Sequence, residues 1–93
     1  MSPKLSNVAA AILSITAHPP QDYFKPSQVT DHLIQNGFSH IKRQILSSRV
    51  SNTLNELADE YDGVIIRDPE SKKQRNIRRL IKDRARLNQL CGS

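Results

Sequence analysis

Apolar residues recur along the first part of the chain at helical spacing. Leu5, Val8, Ala9, Ile12 and Leu13 fall three and four positions apart, which predicts a helix with one buried stripe. Ser2 and Pro3 suit its start, as cap and first helical residue. His18-Pro19-Pro20 ends it, since consecutive prolines cannot continue the hydrogen-bond ladder. Residues 18–25, with Tyr23 and Phe24, read as a loop. Pro26 and Ser27 open a second helix that buries Val29, Leu33 and Ile34. Asn36-Gly37 closes it, because glycine just past a helix takes the left-handed conformation without steric cost, and Phe38 is expected to fold back onto the core. Residues 39–46 fit either a short turn or a backward extension of the next helix. That third helix is placed from Ser47, a good cap, with Val50, Leu54 and Leu57 on one face. Ser48, Asn52, Asn55 and Asp59 fall on the opposite face, flanked by Arg49, Ser51 and Glu56, and Asp62-Gly63 marks the exit.

The period then shortens. Val64-Ile65-Ile66 is a β-branched run suited to a strand, and Asp68-Pro69-Glu70-Ser71 has turn chemistry. Residues 74–79 are expected to return as the partner strand, with Ile77 pointing inward. Leu80, Ile81, Leu87 and Leu90 fit an amphipathic helix with Lys82, Arg84 and Arg86 outside. The expected fold is mainly α with a small β-hairpin: three helices and a two-stranded hairpin over residues 1–80, then a basic helix or tail over 81–93.

Composition narrows the function. Ninety-three residues make one domain, and a chain of this size buries only roughly 60–65% of its unfolded surface. No apolar run approaches the ~18 residues of a membrane span, and no leader-like segment is read at the N-terminus. A single cysteine, Cys91, excludes an internal disulfide and a cysteine-rich zinc site; the expected setting is intracellular, cytoplasmic or nucleoid-associated. Net charge is +5, with a sequence pI near 9.8. Lys72, Lys73, Arg75, Arg78, Arg79, Lys82, Arg84 and Arg86 face one nearby acid, Asp83, so one basic flank and a polyanionic partner are expected.

The order helix, loop, helix, turn, helix, strand, turn, strand resembles the winged helix-turn-helix superfamily of DNA-binding domains. KPSQVTDHLIQNG, SSRVSNTLNEL and GVIIRDPESKKQRNIRRL carry the resemblance, which spans roughly residues 3–80. It implies a three-helix core, a hairpin wing and a third helix that enters the major groove of duplex DNA. The segment from Gly37 to Ser47 is longer than a typical helix-turn-helix turn.

On this resemblance Arg49, Asn52 and Asn55 are the candidate base contacts, since arginine matches the two acceptors of guanine and asparagine the donor–acceptor edge of adenine. Ser47, Ser48 and Ser51 on the helix, and Arg67, Lys72, Lys73 and Arg75 on the wing, are candidate phosphate contacts. Asp59, Glu60 and Asp62 are expected to lie away from phosphate, either paired with Arg78, Arg84 or Arg86 or exposed to solvent. Leu80, Ile81, Leu87 and Leu90 are candidates for a homodimer contact, with folding back onto the first helix as the competing reading. His18, His32 and His40 lack metal-ligand spacing, and no nucleophile motif or glycine-rich phosphate loop is present, so neither catalysis, cofactor nor small-molecule ligand is expected. The expected function is duplex DNA binding by a small transcriptional regulator. The rivals are a winged-helix protein–protein adaptor and an RNA-binding accessory domain.

Overall fold

The computed structural model describes residues 3–70 and 77–92. They form helix α1 (Leu5–Ile15), strand β1 (Tyr23–Phe24), helix α2 (Pro26–Leu33), helix α3 (Arg43–Asp59), strands β2 (Ile65–Arg67) and β3 (Arg79–Ile81), and helix α4 (Arg84–Cys91). The three strands make one antiparallel sheet in the order β1-β3-β2. No helix among the described residues is long and apolar enough to cross a membrane.

The first two helices start in the same way. At α1 the Asn7 side chain accepts from the Lys4 backbone N–H at 2.8 Å; at α2 the Gln28 side chain accepts from the Lys25 N–H at 2.8 Å. In each case the third helical residue reaches back to an N–H that the helix leaves open. The start expected at Ser2-Pro3 is therefore displaced: Pro3 precedes α1, and Ser2 lies outside the described residues. Past α2 the chain makes a wide turn through Asn36 and Gly37, and Gly37 has a φ of 111°, which its missing Cβ permits. Phe38 packs against the core as expected.

α3 begins at Arg43, one turn before the expected cap at Ser47. The cause is packing. Leu46 is fully buried on the same stripe as Val50, Leu54 and Leu57, so the apolar period continues back through Ser47. Arg43, an unfavourable charge for a helix start, is ion-paired with Asp31 of α2. That exposed pair contributes at most about 1 kcal/mol but ties the two helices at one end.

The sheet departs from the expectation in two ways. Tyr23-Phe24 is not a loop but an edge strand, paired with Leu80 and Arg79. Among the described residues the return strand is Arg79–Ile81, starting where the expected span of 74–79 ended; residues 74–76 lie outside the described residues, and Ile77, expected to point inward, is only half-buried. Register puts Phe24, Arg79 and Arg67 in one row across the sheet, with Ile81 opposite Ile65 on the same inner face. Tyr23, Leu80 and Ile66 form the row on the outer face.

The C-terminal stretch does not form one helix from Leu80. Leu80 and Ile81 belong to β3, and only Arg84–Cys91 is helical, capped by Asp83, whose carboxylate accepts from the Arg86 N–H at 3.0 Å. Leu87 is fully buried in the core, and Leu90 and Cys91 pack against it from α4, which lies along α1. A division after Leu80 would cut through β3. Ile81 and Leu87, two of the four dimerisation candidates, are thus buried within one copy of the chain.

Candidate functional site

α3 turns one face to the core and leaves the other open. Over its N-terminal half the exposed residues are Gln44, Ile45, Ser47, Ser48, Arg49 and Asn52, with Ser51 half-buried. Ile45 is 46% exposed, one of only two large apolar side chains among the described residues that are so exposed. It lies one helical turn before Ser48 and Arg49 and two before Asn52. Reading the helix from Ser47 misses it; the backward continuation of the Leu46 stripe was the signal that could have revealed it. The acids Glu56, Asp59 and Glu60 are exposed at the other end.

Asn55 stands apart from the other candidates. It is half-buried against the sheet, and its carbonyl oxygen accepts from the Arg67 guanidinium at 3.1 Å. Two Arg79 nitrogens approach the same oxygen at 3.4 Å. Asn55 is therefore occupied within the fold, and it ties the β2 edge of the hairpin to α3. A cleft of about 330 Å³ lies beside this junction, lined by Asn55, Ala58, Asp59, Ile66 and Arg67.

The hairpin is closed at its root by Asp68 and Arg78. The Asp68 N–H donates to the Arg78 carbonyl at 2.9 Å, and the Arg78 Nε donates to Asp68 Oδ2 at 2.6 Å. The other Asp68 oxygen accepts from the Glu70 N–H at 3.0 Å, the local turn bond expected of an aspartate there. The Arg78 guanidinium also lies over the Tyr23 ring, 5.1 Å from its centre. Lys72, Lys73 and Arg75 lie outside the described residues.

Of the two readings for Asp59, Glu60 and Asp62, the described residues show exposure to solvent rather than pairing with Arg78 or Arg84. Arg78 goes to Asp68, and Arg84 donates to the Gln21 carbonyl at 2.7 Å, to Thr16 at 3.2 Å and to Asp22 at 3.3 Å. With Arg79 turned inward as well, three members of the basic run serve the fold, while Lys82 and Arg86 remain exposed. The run is not one solvated flank.

Comparisons with protein-family models, curated proteins and solved structures returned no match. Among the described residues no group of histidine, cysteine and carboxylate side chains could hold a metal ion.

The hairpin root has a pH signature. The Glu70 N–H bond first, then the Arg78 guanidinium, hold the Asp68 carboxyl below the ordinary aspartate range, against the opposing effect of burial. A carboxyl whose pKa is depressed by folding stabilises the fold above its unfolded value of about 3.9. That stabilisation is lost as pH falls through the lower folded value. Asp68→Asn keeps an acceptor for Glu70 but removes the charge. The difference in melting temperature between wild type and D68N is expected to be largest near about pH 7 and to shrink steadily in acid below about pH 4. A constant difference across that range, read by circular dichroism, would show that the Asp68 charge contributes nothing.

Proposed function

We propose that the domain is a winged helix that binds double-stranded DNA, with α3 entering the major groove and the β2–β3 hairpin gripping the adjacent backbone. The observation that carries the reading is the Arg67–Asn55 bond, which fixes β2, the strand that precedes Lys72, Lys73 and Arg75 in sequence, against the side of a helix whose open face is mainly polar. Asn52 and Arg49 suit base edges, and Ile45 adds an apolar group that matches the thymine methyl. Ser47, Ser48 and Ser51 lie one to two turns inside α3, beyond the open N–H groups of its first turn, so they offer phosphate their hydroxyls alone. In this reading Asn55 positions the hairpin rather than pairing with a base. The acids at the far end of α3 stay outside the groove.

The first test is a salt series on the full chain with duplex DNA, single-stranded DNA and RNA. Duplex DNA is expected to bind most tightly. Changing Lys72, Lys73 and Arg75 together to alanine is expected to weaken binding to all duplex sequences alike. The log–log salt slope should fall by about 0.9 for each phosphate that is no longer neutralised. An unchanged affinity and slope would remove the hairpin from the interface. A preference for RNA, or no nucleic-acid binding at any salt concentration, would overturn the reading.

A further inference from the structure

Arg79 is the one residue of the sheet whose chemistry contradicts its place. It sits on the inner face between Phe24 and Arg67 and is only 5% exposed. Among the described residues its Nε has no hydrogen-bond partner, and its two terminal nitrogens make only long contacts, 3.4 Å, to Asn55. Arg67 stands directly opposite on the neighbouring strand and uses the same Asn55 oxygen. Like charges at directly paired strand positions oppose one another. Burial and the Arg67 charge both lower the Arg79 pKa. Among the described residues neither guanidinium has a carboxylate within ion-pair distance. Arg43, Arg78 and Arg84, by contrast, each have one.

A guanidinium carries five N–H donors, and one neutral amide oxygen cannot satisfy two such groups. We infer that Arg67, Arg79 and Asn55 form a binding site for a phosphate-type oxyanion at the junction of α3 and the sheet. Two convergent guanidiniums match the chemistry of a tetrahedral oxyanion, which presents several acceptor oxygens and full negative charge. Arg67 and Asn55 line the adjoining cleft of about 330 Å³, which leaves room for such a group; Arg79, nearly buried, is not part of that lining and joins the site through the Asn55 oxygen that it shares with Arg67. Asn55 holds the two arginines together before the anion arrives. Asp59 lines the same cleft with an exposed carboxylate, so it opposes an incoming anion and sets the affinity. The phosphate is assigned to a nucleic-acid backbone on the strength of the DNA-binding reading; the oxyanion site itself rests on the arginines alone.

The experiment uses the full chain and inorganic phosphate as probe, against sodium chloride at equal ionic strength. Phosphate is expected to raise the wild-type melting temperature by several degrees more than chloride does. Arg79→Met is expected to abolish that difference while melting in chloride no lower than wild type, since it removes an unpaired buried charge. Arg67→Gln changes an exposed side chain, so it tests the site even where R79M fails to fold, and it too is expected to lose the phosphate response. Asp59→Asn is expected to strengthen it. Equal responses to phosphate and chloride in wild type, or a phosphate response unchanged in R67Q, would overturn the site. The source is separated by duplex binding: R67Q is expected to lower the log–log salt slope by about 0.9, one phosphate. A phosphate response without that change in slope overturns the backbone assignment and leaves a site for free phosphate or a phosphorylated small molecule. A phosphate response in a chain that binds no duplex DNA sinks the DNA-binding reading and leaves the oxyanion site standing.

Discussion

A chain ending at Lys82 is expected to be unfolded. The deletion removes α4, and with it Leu87, which has no exposed surface. It also removes Arg84, whose guanidinium spans the Thr16 hydroxyl, the Gln21 carbonyl and the Asp22 carboxylate, and so fastens the segment between α1 and β1. Truncating a buried leucine to alanine alone costs about 2–5 kcal/mol, against a total stability of about 5–15 kcal/mol for a domain of ordinary stability. Losing the whole helix exposes the α1 face that it covers. Leu87→Ala should therefore give a folded protein with a clearly lowered melting temperature, and Leu87→Asp, which buries an unpaired charge, should not fold. Circular dichroism melts and amide NMR dispersion of the three variants decide the matter. A cooperative transition at the wild-type temperature in the chain ending at Lys82 would show that α4 is dispensable.

Leu54→Asp and Asn52→Ala are expected to have opposite kinds of effect although they lie two residues apart on α3. Leu54 is fully buried, so the aspartate would lack both water and a partner and the domain should lose its cooperative fold. Asn52 is exposed, and its truncation should leave the stability within about 0.5 kcal/mol of the wild type. On the DNA-binding proposal, N52A should also relax sequence preference at one position, a loss of about 1–3 kcal/mol in discrimination. Melts and competition binding against single-base variants of a selected site measure both. A folded L54D with an unfolded N52A would reverse the two faces of the helix.

The helical part of this fold was legible because its signals are local and redundant. Val8, Ala9 and Ile12, Val29 and Leu33, and Val50, Leu54 and Leu57 are all buried where the period of the sequence puts them. The misreadings have a common origin in long-range contacts. Tyr23-Phe24 is too short to announce itself as a strand, and becomes one because β3 lies beside it. Ser47 has a cap's chemistry but sits inside a helix whose start is set by the burial of Leu46. Leu80 and Ile81 continue a plausible helical stripe with Leu87, yet the ladder to Ile66 and Ile65 takes them into the sheet. In the basic run, sequence shows charge but not direction: strand alternation alone turns Arg79 inward, while Asp68 and Asp22 take Arg78 and Arg84. Of the candidate site, the open face of α3 was visible in the helical projection. The exposed Ile45 and the sharing of Asn55 by two arginines needed the folded chain.

The strand order has a kinetic consequence. β3 is the middle strand, and it follows both of its neighbours in sequence. Until it docks, β1 and β2 have no strand to pair with, and α4 comes later still. A chain emerging from a ribosome can thus form its helices early, but no pair of strands in the sheet can form until β3 has emerged. The distant pairing of β1 with β3, Tyr23 opposite Leu80, is slow to close relative to local helix formation, because the loop entropy is spent before the contacts are made. During that interval Phe24 and Ile65 lack their strand partners, Arg79 and Ile81, and unpaired strand edges of this kind are where a partly folded chain associates with another.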